Sequence, residues 1–365
     1  MLQQILGTSV IAGVSSEIED IRNIPGRYSG LERVPVVPCV QDEIFVRLGG
    51  RSIAADIIAD DAKGVLKSSP QVRLENEHVP NIKGGRALRQ GELDFIGRAI
   101  QGTASPADLK YLSDAITRTV IDAKEGVWQM MNFIIWGMLS NNLAYNKDGY
   151  KVTAFNWGTP SDLIVTPGTL WTNIASTPIT DVNTLVELMR TKYGIVVDRI
   201  TMSTTALRNA SATTQFITLA TNALVTGGVA TFINSSDIKT VAELAGRLWG
   251  LKVVIEDNTM DVQGQDGSIT STRYLAVNKV VLDSSMSDGN RNVMDFGSAP
   301  VTEGVVASIL GQSQSQIIGS LADGARGPVC YAEGNMNPPS ISIWGVAKGF
   351  ARKHKETATA VLTVA

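Results

Sequence analysis

The feature that most constrains how this 365-residue chain folds is one helix signal over residues 105–142. It opens at Ser105-Pro106-Ala107-Asp108. Serine suits the N-cap, proline the first helical position, and an acid three residues on faces the exposed N–H groups. Apolar residues then recur at Leu109, Leu112, Ile116, Val120, Ala123, Val127, Met130, Ile134 and Met138. Steps of three and four put them on one face. About 38 residues at ~1.5 Å each predict a rod of roughly 55 Å. Gly126 and Gly137 lie inside it and are candidate bend points. Few compact enzymes need such a rod with no catalytic motif beside it. A shell subunit does, because the rod sets the spacing between neighbours.

Composition narrows the class. Apolar residues make up 44% of the chain, which fits a globular protein of two packed domains with extensions. The net charge is 32 − 35 = −3. A dedicated nucleic-acid binder needs a basic face, so this balance argues against one, but not against a wall that encloses nucleic acid. Cys39 and Cys330 are far apart and form no disulfide framework or zinc pattern. Met1 to Val14 is apolar but lacks a basic leader and runs into Glu17, Glu19 and Asp20, a poor signal peptide. The most apolar stretch, Val127 to Leu139, is shorter than the ~20 residues of a bilayer span. Asn209 and Asn234 match the glycosylation pattern, which means little without secretion.

The flanks of the helix differ in kind. Residues 1–40 carry Pro25, Pro35 and Pro38 and read as an extended arm with a short helix near its start. Residues 41–90 read as β: a strand at Glu43–Leu48, then a hairpin of Ser52–Ala59 and Gln71–Val79 with a polar tip at 60–70. An isolated two-stranded hairpin is marginal in water, so this one calls for a partner surface. Residues 181–340 alternate α and β. Asp181 caps a helix ended by Gly194; Ile195–Met202 is a strand; Ser203–Ala210 is helical; Ser236–Leu248 is a helix ended by Gly250; Leu251–Glu256 is a strand. Asp266-Gly267 turns a hairpin returning through Arg273–Leu282, and Asp288–Gly304 reads as loop. Ile341–Phe350 and Ala358–Val364 are terminal strands, with the basic run Arg352, Lys353, His354, Lys355 as a solvated turn between them.

No catalytic constellation stands out. There is no phosphate loop, no Gly-x-Ser-x-Gly elbow and no His-Glu-x-x-His. The two histidines, His78 and His354, fall in separate segments. The carboxylate groups Asp60-Asp61 and Glu17, Glu19, Asp20 have no ligand spacing and read as solvated charge. The expectation is therefore no catalytic residue, no metal and no cofactor. The six tryptophans read as core or interface anchors.

The element order (arm, projecting hairpin, long helix, inserted α/β segment, terminal strands) resembles the Hong Kong 97-like capsid fold of tailed-bacteriophage major capsid proteins, within it the lambda-type family. The residues that carry the resemblance are local. One run goes from Asp108-Leu109 through Asn141-Asn142 into the strand at Val152. A second is Trp171-(x)6-Pro178-Ile179-Thr180-Asp181-(x)6-Leu188, then Tyr193-Gly194, Asp198-Arg199-Ile200-Thr201-Met202-Ser203 and Leu207. The third is the closing stretch Ser342 to Val364.

The resemblance implies an α+β chain with an N-terminal arm at 1–40, an extended loop at 41–100, a peripheral domain with the spine helix at 101–180 and 341–365, and an inserted axial α/β domain at 181–340. It implies a structural protein, not an enzyme. The chain would assemble with itself, in hexamers and pentamers, into an icosahedral head around double-stranded DNA, without sequence-specific binding and without a membrane. Scaffolding, portal and decoration or cement proteins are the further partners of such a shell. The location would be the virion, after assembly in the bacterial cytoplasm. Candidate inter-subunit contacts are Lys63, Lys67, Arg73, Glu75, Glu77, Arg86 and Arg89 on the loop, and Arg352, Lys353 and Lys355 near the end. Some relatives cross-link loop lysines to asparagine; no motif here identifies a partner for Lys63 or Lys67. The alternatives are an encapsulin-like nanocompartment shell of the same fold and a cytosolic α/β enzyme built on 181–340.

Overall fold

The computed structural model describes residues 24–38, 43–45, 76–78, 81–88, 90–147, 150–153, 157–223, 237–263, 268–284, 294–299, 316–318, 329–336 and 339–365. In chain order its elements are α1 (Ser29–Arg33), β1 (Val36–Pro38), β2 (Glu43–Phe45), β3 (Asn76–His78), β4 (Asn81–Ala87), α2 (Gln90–Ile100), α3 (Pro106–Leu139), β5 (Ala144–Lys147), β6 (Tyr150–Thr153), β7 (Ile164–Val165), α4 (Pro178–Tyr193), β8 (Arg199–Met202), α5 (Thr204–Ser211), α6 (Thr214–Ala223), α7 (Ile238–Trp249), β9 (Lys252–Ile255), β10 (Thr259–Gln263), β11 (Ile269–Arg273), β12 (Lys279–Asp283), β13 (Met294–Ala299), β14 (Gln316–Ile318), β15 (Val329–Met336), β16 (Pro339–Lys353) and β17 (Thr359–Thr363). They fall into two units, one comprising Met1–Ile44, Glu77–Ile135 and Phe296–Ala351, the other Phe45–Asn76, Trp136–Asp295 and Arg352–Ala365.

The first unit is a sheet packed on the long helix. The sheet runs β1-β13-β16-β15-β14, with β4 also on β16. Helix α3 starts where its capping residues require. Asp108 N–H donates to Ser105 Oγ (3.2 Å) and Ser105 N–H donates to Asp108 Oδ2 (3.0 Å), a reciprocal capping box. The buried stripe is Leu112, Ile116, Val120, Ala123, Val127 and Met131, widening to Ile134 and Ile135. Leu109, expected on that face, is 43% exposed, because the first turn runs ahead of the packed core. The helix and β16 touch backbone to backbone: a Cβ on Gly345 would lie 2.5 Å from the Ala123 carbonyl oxygen. Helix α1 reaches the same helix, with Gly30 N–H donating to Asn132 Oδ1 at 2.8 Å and Tyr28 tilted against Trp128.

The second unit is an α/β layer. Its five-stranded sheet has the order β7-β17-β12-β8-β9, parallel at β7/β17 and β8/β9 and antiparallel on both sides of β12. Val280, Val281 and Leu282 are all buried, as a central strand covered on both faces requires. Helices α4, α5, α6 and α7 supply Val182, Leu185, Leu207, Phe216, Leu244 and Trp249 to one core. Gly194 and Gly250 close α4 and α7 in the left-handed region, at φ 66° and 67°. Ser203 caps α5, its Oγ accepting from Ala206 N–H at 3.0 Å.

Several expectations shift. Helix α4 begins at Pro178 behind Thr177, so Asp181 is a first-turn acid, held by Trp171 Nε1–H at 2.9 Å, and not the cap. Proline at the first helical position was the better start signal. Helix α6 was not expected. Met294–Ala299 is a strand inside a sheet where a loop was expected, and the return strand of the β10/β11 hairpin ends at Arg273. β12 pairs with β8 and β17 instead. β3 pairs with β2, so Gln71–Val79 finds Glu43–Phe45 as a partner over its described part. Ser52–Ala59 and the tip at 60–70 lie outside the described residues. No helix among the described residues is long and apolar enough to cross a membrane.

Candidate functional site

The expected contact residues are placed unevenly. Lys63, Lys67, Arg73, Glu75 and Arg89 lie outside the described residues; Glu77 is on β3. β2 and β3 pair as a two-stranded sheet. Arg86 is exposed on β4, in register with Ile343 of β16.

The basic run near the end is a different object from a solvated turn. β16 continues to Lys353, and its charges are used within the chain. Arg352 grips Asp295 with two bonds, Nε to Oδ1 at 2.6 Å and Nη2 to Oδ2 at 2.8 Å. His354 Nε2 lies 2.7 Å from the same carboxylate. Asp295 is nearly fully buried, and burial pushes its carboxyl pKa up. The bonds from His354 and Arg352 outweigh that and hold it below the usual carboxylate range. Sequence reading missed Asp295 because its segment looked like loop.

Lys353 corrects the expectation of a surface contact outright. Its side chain is 0% exposed. The ammonium donates to Thr159 Oγ1 (2.9 Å) and Thr359 Oγ1 (2.6 Å), and burial pulls its pKa from 10.5 down to about 7. Lys355 is half-buried. So the run divides into an ion-paired arginine, a buried lysine and a carboxylate-bound histidine, which leaves little of it as a basic surface.

Other charged groups are likewise structural. Arg199 on β8 is paired with the wholly buried Asp283 of β12. Asp257 receives Arg273 Nη2 at 2.9 Å and Thr204 N–H at 3.2 Å. Among the described residues no cluster of three or more metal-ligating side chains occurs. Five of the six tryptophans, at 128, 136, 157, 171 and 249, are buried as core anchors. Among the described residues, what the chain presents for function is therefore a framework: the long helix α3 with its sheet, and an α/β unit.

That framework has counterparts. No protein-family model matches the chain, and no curated protein matches it in sequence. In structure, a phage-related protein from Bordetella bronchiseptica RB50 aligns with a TM-score of 0.54 at 12% identity, over 96% of this chain and 95% of that one. A prophage protein of Escherichia coli CFT073, assigned as a capsid protein, aligns with a TM-score of 0.52 at 12% identity, over 96% and 99%. The alignment covers nearly the whole of each chain. This chain has the Hong Kong 97-like capsid fold of tailed-phage major capsid proteins.

Proposed function

We propose that this chain is a major capsid protein, the shell subunit of a tailed-bacteriophage head that encloses double-stranded DNA. The observation that carries the reading is the end-to-end fold match to a protein assigned as a prophage capsid. The role is structural and not catalytic: the polar clusters described above satisfy one another inside the units. In this reading the unit holding α3 is the peripheral domain, the α/β unit is the axial domain, and residues 1–40 and 41–100 are the arm and extended loop. The partner is the chain itself, in rings of five and six, with scaffolding, portal and decoration proteins as further partners. Many modest contacts, multiplied around closed rings, then stabilise the shell. The net charge of −3 suits a wall that contains DNA without gripping it. The site of action is the virion, after assembly in the bacterial cytoplasm.

The loop is the sharpest test. Residues 60–69 fall between β2 and β3 and include none of the described core residues, so their deletion removes none of those. The deletion variant is expected to stay soluble with an unchanged thermal melt, while particle yield on a sucrose gradient falls about tenfold or more. Wild-type yield from that variant would remove the loop from the mechanism.

A further inference from the structure

The C-terminal end of α3 is tied to β17 through one buried amine. The helix stops in a tight turn. Asn142 N–H donates to the Gly137 carbonyl at 2.9 Å, and Asn141 stands in the left-handed region at φ 49°. Asparagine tolerates that conformation better than most residues, but it is still a strained one. The Asn141 side chain is held from outside the turn: Thr159 Oγ1–H donates to Asn141 Oδ1 at 3.3 Å. Thr159 Oγ1 lies 2.9 Å from Lys353 Nζ, and Lys353 Nζ lies 2.6 Å from Thr359 Oγ1. Four side chains thus form one line through separated stretches of a single unit.

Proton positions decide whether that line is complete. Asn141 Oδ1 only accepts, so the Thr159 hydroxyl proton is committed to it. Thr159 Oγ1 then accepts from Lys353. A neutral amine keeps a lone pair and accepts from the Thr359 hydroxyl, so every bond runs the same way, from Thr359 to Asn141. An ammonium has no lone pair. It turns the Thr359 hydroxyl round and sits at 0% exposure on two neutral oxygens.

Charges on the surrounding elements do not offset that. Asp283, opposite Thr359 in register, is paired with Arg199. Asp295 is gripped by Arg352 and His354. In the turn after β16, Lys355 is a second cation, and Glu356 packs at Gly158, where a Cβ would stand 3.2 Å from its Oε1. Burial accounts for the fall of the Lys353 pKa from 10.5 to about 7.

We propose that Lys353 works a proton-operated latch: as a neutral amine it holds the 157–160 loop between the end of α3 and the 353–359 turn, and the loop opens as Lys353 takes up a proton and moves to solvent. The latch lies within one chain and stands whether or not copies assemble. Opening returns Lys353 to its ordinary pKa. Opening is therefore favoured as pH falls from 10.5 to about 7, and levels off below, where the closed state is protonated too.

Amide hydrogen exchange of the full chain at pH 7, 8 and 9, corrected for the intrinsic pH dependence, tests the latch. The readouts are the Asn142 and Leu163 amides, which donate to the Gly137 and Pro160 carbonyls. In the wild type their exchange should rise about fiftyfold from pH 9 to pH 7. The rise should be unchanged in about 1 M urea, the mark of a local opening. In Lys353→Met, which cannot be charged, exchange at both amides should be flat with pH. Wild-type exchange that is flat with pH would overturn the proposal. So would an equal rise in Lys353→Met, or a rise that follows urea as global unfolding does.

Discussion

Gly345→Ala is expected to destabilise the protein by about 3 kcal/mol or more and to leave most of it insoluble. A Cβ at Gly345 would stand 2.5 Å from the Ala123 carbonyl oxygen and 2.8 Å from its carbon. These are backbone atoms of α3, in its buried middle turns, so no side-chain rotation relieves the clash. Either the helix lifts from β16 or the strand moves, and both strip contacts from Val120, Val127 and their neighbours. The control is one strand away. Gly84 is the register partner of Gly345 on β4, and a Cβ there meets nothing within 4 Å. Gly84→Ala is expected to be neutral or slightly stabilising, since glycine in a strand carries excess unfolded-state freedom. Urea melts of the two variants check this; equal stability would show that the sheet does not rest on the rod.

The second large effect has the opposite sign. Lys353→Met is expected to stabilise the protein at neutral pH. The folded pKa of Lys353 is about 7 against 10.5 unfolded. Between those values the unfolded chain holds a proton that the folded chain has given up, so stability rises with pH across that window and the full penalty applies at pH 7 and below. The difference corresponds to roughly 5 kcal/mol at ~1.4 kcal/mol per unit. The lost bonds to Thr159 and Thr359 return about 1 kcal/mol each, which leaves a net gain of about 3 kcal/mol at pH 7. Methionine fills the same unbranched space. The gain should shrink as pH rises, vanish near pH 9 and reverse by pH 10, where the bonds to Thr159 and Thr359 outweigh the remaining penalty. Thermal melts at pH 7, 8.5 and 10 check both the sign and the slope; a variant less stable than wild type at pH 7 would contradict the account.

These two residues show what was legible in the sequence and what was not. Local signals worked. Ser105 and Asp108 announced α3, Ser203 announced α5, and Gly194 and Gly250 marked helix ends, because a cap is made by residues a few positions apart. Non-local pairing was not legible. Lys353 sits in a basic run, and nothing near it says that Thr159 receives its ammonium. Asp295 looked like loop because its strand, Met-Asp-Phe-Gly-Ser-Ala, has no simple alternation; its place is fixed by β1, β16 and Arg352. The last strand was expected with the long helix and instead pairs with β12 and β7, a choice made by residues about 80 and 200 positions away. Helix α6 was hidden because it is rich in threonine and has no charged residue at either end. The expected contact residues were poorly legible, since charge was taken as their mark and Lys353, one of those charges, is wholly buried.

Self-assembly is read out by negative-stain electron microscopy of the full chain expressed alone and with a candidate scaffolding protein, beside size-exclusion chromatography. Closed shells, tubes, or rings of five and six are expected. A chain of 39.0 kDa that stays a monomer under both conditions would contradict the shell reading.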